Sequence, residues 1–173
     1  MPSTIKLYAV DFNQDEKIDL KNVEDSFASA ANYLNNIGWN NKEPCFYKIN
    51  LNENVPLNYL KKIGWKKNSP CFIPIELNEE IPNKYLNTSA KKIKNKKKIK
   101  YFKKFVKDSE SLNINENLIS AIVTPDKDIV ENSNRLKPAF LVFNNYELIL
   151  KWNRSLRFAL AVCTLKDNLK HEL

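Results

Sequence analysis

The stretch Asp11-Phe12-Asn13-Gln14-Asp15-Glu16-Lys17-Ile18-Asp19-Leu20 puts an oxygen-bearing side chain at nearly every second position. Asp11, Asn13, Asp15 and Asp19 stand at positions 1, 3, 5 and 9 of an EF-hand-type loop, and Lys17 at position 7 offers its backbone carbonyl. Such alternation wraps hard oxygen donors round a cation of the calcium type. Two positions depart from the pattern. Glu16 stands where glycine makes the sharp turn, and Asn22 where a bidentate glutamate closes the site; the next carboxylates are Glu24 and Asp25. The competing reading is an acidic surface turn whose Asp19 and Asn22 cap the helix that follows.

Other chemistries find little support. Cys45, Cys71 and Cys163 form no C-x-x-C pair, and His171 is the single histidine, so zinc binding and Cys–His catalysis are poorly supported. The cysteines read as buried or incidental thiols. Cys45 and Cys71 occupy equivalent places in a repeat, which permits a bond between them without indicating one. The net charge of +8 invites a nucleic-acid reading, but only Arg135, Arg154 and Arg157 among 28 basic residues are arginine. Bidentate recognition of bases and phosphates favours arginine. A lysine surface equally suits an anionic polymer such as a bacterial wall.

The elements that must position these residues read as α+β. Asn22–Ile37 is predicted helical, with Val23, Phe27, Ala30, Ala31 and Leu34 on one face and Gly38 at the C-cap. A tandem repeat follows: Tyr33–Asn58 and Tyr59–Lys84 share Tyr-Leu, Ile-Gly-Trp, Pro-Cys-Phe, Ile-x-Leu-Asn-Glu and a closing proline at an offset of 26 residues. Each copy predicts a strand, Phe46–Leu51 and Phe72–Leu77. Between Ala90 and Lys107, Ile93, Ile99, Phe102, Phe105 and Val106 suggest the apolar edge of a helix whose lysines face water. Strands are predicted at Leu118–Thr124 and Pro138–Phe143. Asn144 or Asn145 then caps a helix carrying Leu148, Ile149 and Trp152. Ser155 caps a last one, with Phe158, Ala161, Val162, Leu165 and Leu169 on one face. No apolar run is long enough to span a bilayer, and the N-terminal ten residues lack the features of a secretory signal.

The run from "MPSTIKLYAVDFNQDEKIDLKNVEDSFASAANYLNNIGW" resembles a segment of the membrane-bound lytic murein transglycosylase B family, and "KPAFLVFNNYELILKWNRSLRFALAV" resembles that family's C-terminal block. The resemblance implies an incomplete lysozyme-like helical core (1–44), a small β-sheet and lysine-rich subdomain (45–143) and C-terminal helices returning to the core (144–173). It implies one structural calcium held by Asp11, Asn13, Asp15, Lys17 and Asp19, with Asp25 as the late ligand. Glycan would be contacted by Tyr33, Trp152 and Asn153.

The family cleaves the MurNAc–GlcNAc bond without water, using one carboxylic acid that lies upstream of the Met-Pro-Ser-Thr turn. The resemblance therefore implies a C-terminal part of such an enzyme, without the catalytic glutamate. None of Glu43, Glu53, Glu76, Glu79, Glu80 and Glu147 matches that acid, and no catalytic residue is assigned. The expected partners are peptidoglycan strands and an N-terminal half encoded separately, with neither nucleic acid nor a transmembrane segment. The expected compartment is the periplasm. The rival functions are a non-catalytic peptidoglycan-binding or regulatory remnant and, from another class, a basic nucleic-acid module resting on Lys91–Lys104.

Overall fold

The computed structural model describes residues 2–53, 80–107, 109–125 and 134–172. Helix α1 (Pro2–Tyr8) leads through the acidic loop to α2 (Val23–Asn36). Asn22 starts α2 by accepting the Glu24 N–H on its side chain at 2.8 Å, which leaves one fewer orphan donor in the first turn. Ile37 closes the helix and Gly38 follows at φ +101°, a conformation that glycine adopts without steric cost.

The sheet comprises β1 (Phe46–Ile49), β2 (Leu86–Asn87), β3 (Lys97–Lys98), β4 (Ile119–Val123) and β5 (Ala139–Val142). Antiparallel β5 lies between β1 and β4; β2 pairs parallel with the end of β4, and β3 antiparallel with its start. Side chains alternate between the faces, as strand geometry requires. Ile122, Ala139 and Leu141 face a core shared with Ile49, Leu51, Ile81, Tyr85, Ile99, Phe102, Phe105 and Val106. Ala121, Val123 and Val142 face the other core, made with Tyr146, Ile149 and Leu150 of α4 (Asn144–Trp152) and Leu156, Ala159 and Cys163 of α5 (Leu156–Glu172).

Strand Phe46–Ile49 is close to its predicted span, and Leu51 adds an isolated bridge to Val106. The companion prediction Phe72–Leu77, and Cys71 with it, lies outside the described residues. The lysine-rich segment is not one helix. It makes β3, a four-residue helical turn α3 (Ile99–Phe102) and a 3₁₀ turn (Lys103–Phe105). Its five marked apolar residues are all buried, but the chain folds back because Lys97–Lys98 are taken by the edge of β4 and Val106 by Leu51.

Two helix expectations change. Asn145 is not a cap. Fully buried, it accepts the Asn40 N–H at 3.0 Å and donates to the carbonyls of Asn40 (2.7 Å) and Glu43 (2.8 Å). The first turn of α4 is served instead by the Glu43 carboxylate, which accepts the Asn144 N–H at 3.0 Å. On α5, Ser155 caps as predicted, accepting from Phe158 N–H at 3.2 Å. The buried stripe there is Leu156, Ala159 and Cys163, however, and Leu165 is exposed. Cys163 is drawn inward by a disulfide to Cys45, with the Cα atoms 5.9 Å apart. Cys45 and Cys163 are thus buried but bonded, and Cys45 pairs with Cys163 rather than with its repeat equivalent.

Candidate functional site

The acidic loop is a run of side-chain-to-backbone turns. Asp11 accepts the N–H of Asp15 (3.3 Å) and of Glu16 (2.9 Å); Asn13 shares the Asp15 N–H at 3.2 Å; Asp15 accepts Lys17 N–H at 2.9 Å. Gln14 and Glu16 sit at φ +61° and +66°, so Glu16 adopts the left-handed conformation that glycine takes in such loops. The oxygens of Asp11, Asn13 and Asp15 are therefore gathered on the same short piece of backbone.

Asp19 turns instead to the Lys21 N–H at 2.9 Å. Asp25, on the inward side of α2, accepts Phe12 N–H and Asp19 N–H, each at 2.9 Å. These backbone bonds, that from Asp19 first, hold its carboxyl below the usual range. Among the described residues no three of His, Cys, Asp and Glu gather as a metal-holding group. The donor chemistry of Asp11, Asn13 and Asp15 fits a hard cation. Asp19 and Asp25 serve the backbone, closing the loop with the protein's own bonds. Lys17 contributes its N–H to that closure, and its carbonyl role is the expectation from spacing.

The second arrangement is aromatic. Tyr33 on α2 meets Tyr8 of α1 edge to face, centroids 5.2 Å apart. On its other side it meets Trp152, at the end of α4, at 6.1 Å, and Trp152 meets Phe158 of α5 at 6.0 Å. Tyr8, Tyr33 and Trp152 border a cleft of about 330 Å³ floored by Ile5, Ala9, Leu20, Ser29 and Ala30. Tyr33 and Trp152, 119 positions apart in the chain, are thus brought to one concavity, with Trp152 still 42% exposed. Asn153 is next to Trp152 on an exposed turn and is not part of the cleft lining. Tyr8 went unpredicted; it stands in the quoted Met-Pro-Ser-Thr segment, four residues past the threonine, and only its pairing with Tyr33 in space marks it.

A proton-donating acid needs an apolar site that raises its pKa, and five of the described glutamates are engaged in ion pairs or a helix cap. Glu43 caps α4. Glu53 pairs with Lys137 at 2.6 Å, Glu80 with Arg135, Glu116 with Lys103, and Glu147 with Lys96 at 2.7 Å. The hydrogen bond from Lys137 moves the Glu53 pKa down, the opposite of what an acid requires. Glu76 and Glu79 lie outside the described residues.

The chain matches the family described as Transglycosylase SLT domain over residues 1–57 and 56–167, and it belongs to that family. Its fold is similar to that of SltB3 from Pseudomonas aeruginosa in complex with NAG-NAM-pentapeptide, at 24% identity and a TM-score of 0.62, over 98% of this chain and 37% of that one. It is similar to soluble lytic transglycosylase SltB1 of the same organism (17% identity, TM-score 0.58, 95% and 43%). The Escherichia coli lytic transglycosylase Slt35 in complex with calcium is similar too (21%, 0.57, 95% and 40%). The chain thus spans well under half the length of these structures. Among curated proteins, no match is found. The α+β arrangement of helices round a small sheet is that of lysozyme-like lytic transglycosylases. No helix among the described residues is long and apolar enough to cross a membrane.

Proposed function

We propose that this chain is the glycan-holding part of a lytic transglycosylase of the membrane-bound murein transglycosylase B type, acting on peptidoglycan strands of the bacterial envelope. The observation that carries this reading is the Tyr8–Tyr33–Trp152 edge on an open cleft. Aromatic faces stack on the apolar faces of sugar rings, and half-exposed aromatics at the mouth of a concavity are otherwise costly to leave in water. Asn153 adds an amide next to Trp152 that suits an acetamido group. Membership of the family and the glycan-bound relative SltB3 support the same substrate class. The chemistry of the family needs one acid, and every described glutamate in an ion pair or cap is committed elsewhere. On this reading the described part binds and positions glycan, and the proton donor lies outside the described residues.

Calcium belongs to the same reading as a structural ion. Asp11, Asn13 and Asp15 would hold it, with the Lys17 carbonyl, Asp19 and Asp25 completing the set, and it would rigidify the loop that leads into α2. The calcium complex of Slt35 supports it. A periplasmic setting fits the buried Cys45–Cys163 bond, since disulfides persist in oxidising compartments.

Titration with a chitin oligomer tests the cleft. Trp152→Ala is expected to weaken binding at least tenfold, and Asn153→Ala about tenfold, the loss of one hydrogen bond worth ~1–1.5 kcal/mol. The purified chain is expected to release no 1,6-anhydromuropeptide from peptidoglycan. Equal affinities for the parent and Trp152→Ala would refute the cleft reading, and release of that product would reveal an acid outside the described residues.

A further inference from the structure

Residues 81–107 contain eleven lysines and no acidic residue, more positive charge than the whole chain's net +8. The run is no loose tail. Ile81, Tyr85, Ile93, Ile99, Phe102, Phe105 and Val106 are buried along it and fix its backbone to the sheet. Lys96 and Lys103 are paired with Glu147 and Glu116.

Lys84, Lys97 and Lys104 converge on the Tyr85–Tyr101 pair. Lys84 lies 5.3 Å from the ring centre of Tyr85, Lys97 5.8 Å from that of Tyr101, and Lys104 5.7 Å from that of Tyr101 and 4.8 Å from that of Phe105. The Tyr101 hydroxyl donates to that of Tyr85 at 2.9 Å. The three ammonium groups come from separate elements: the 3₁₀ turn Asn83–Tyr85, strand β3 and the 3₁₀ turn Lys103–Phe105. Tertiary structure, not local spacing, gathers them on the sheet face opposite α4 and α5. Like charges so placed sum to a local positive potential. The Tyr85 hydroxyl registers it: the bond from Tyr101 holds its pKa down, and the nearby lysines add to the effect.

We propose that Lys84, Lys97 and Lys104, grouped round the Tyr85–Tyr101 pair, form a second wall-contact site that binds the free carboxylates of peptidoglycan peptide stems. This rests on the peptidoglycan reading above and adds to it a site on the face away from the aromatic cleft. Carboxylates are favoured over nucleic-acid phosphates because the cluster holds no arginine. Ammonium groups are hydrated point charges that accept anions in many orientations, which suits stems displayed irregularly on a polymer.

The test is sedimentation of the full chain with insoluble peptidoglycan sacculi. It compares Lys84→Gln/Lys97→Gln/Lys104→Gln with an equal-charge control, Lys91→Gln/Lys92→Gln/Lys100→Gln. All six residues are exposed, and matching thermal melts verify that each variant folds. The cluster variant is expected to lose about tenfold in affinity and the control less than about threefold, with chitin-oligomer binding unchanged in both. Sacculi whose carboxyls have been amidated are expected to bind the wild type as weakly as untreated sacculi bind the cluster variant. Equal losses in the two variants, no effect of amidation, or displacement of the chain from sacculi by duplex DNA would each overturn the site. A wild type that binds the oligomer but not sacculi would overturn it and leave the cleft reading standing. A wild type that binds sacculi through these lysines but not the oligomer would do the reverse.

Discussion

Asp25 and Glu16 show how much of the acidic loop is decided by single residues. Asp25 is buried on α2, yet both its oxygens accept backbone N–H groups from the loop. A carboxylate whose folded-state pKa lies below its unfolded value stabilises the fold above the unfolded pKa, and that contribution is lost as pH falls through the folded one. Asp25→Asn, which offers one acceptor oxygen in place of two, is therefore expected to melt at lower temperature at neutral pH. The gap between parent and variant should shrink as pH drops below the ordinary aspartate value. A gap independent of pH between neutrality and strong acid would refute the assigned role. Glu16 pays for a left-handed backbone at φ +66°. Glu16→Gly removes a strain of roughly 1 kcal/mol, offset in part by the added freedom of the unfolded chain. It is expected to tighten calcium by up to about fivefold, read from the calcium-induced rise in melting temperature. If neither the variant nor the parent shifts at millimolar calcium, the loop is a self-closed turn and not a metal site. Sequence spacing marked the donors and the offending residue here. It did not show that Asp19 and Asp25 would turn to backbone N–H groups, because that choice depends on how α2 meets the loop.

At the scale of elements, period was legible and partnership was not. Short apolar runs located β1, β4 and β5 to within two residues; β4 and β5 are covered on both faces and read as nearly continuous apolar runs, whereas β1 carries the exposed Tyr47 and Lys48. The spacing on α2 was equally clear, but Val23 and Phe27 are 66% and 70% exposed while Asp25 and Ser29 are buried. Period identifies a stripe without saying which neighbours exist. In the lysine run the apolar positions were right and the element wrong, because pairing with β4 overrode a weak helical pattern. Glu53 in copy 1 and Glu80 in copy 2 pair with Lys137 and Arg135, two residues apart, and Leu51 and Ile81 share one core, so both copies of the repeat contribute to one face of the sheet. The family match is likewise in two pieces, 1–57 and 56–167, that overlap beside the joint of the copies.

At the scale of the whole molecule, one covalent link joins parts that the sequence keeps far apart. Cys45 precedes β1, Cys163 lies in α5, and the separation is 118 residues. The two halves of that link belong to the same core as Tyr146, whose hydroxyl donates to the Leu156 carbonyl at 2.8 Å and ties α4 to α5. Burial pushes that hydroxyl's pKa up, so it stays a donor across the physiological range. Spacing alone singles out no pair among three cysteines, since the pairing depends on α5 packing over the start of β1. In the loop-entropy account, a cross-link closing about 100 residues destabilises the unfolded chain by up to about 4–5 kcal/mol, and measured losses run lower as often as not. For a chain of this size each kcal/mol moves the melting temperature by about 2–4 °C. In a Cys71→Ser background, which leaves one possible pair, reductant is expected to lower the melting temperature by about 5–15 °C. Cys45→Ala/Cys163→Ala in that background is expected to melt at the lower temperature with or without reductant. If reductant shifts neither protein, the bond does not form in solution, and the argument from oxidising conditions for an envelope location falls with it.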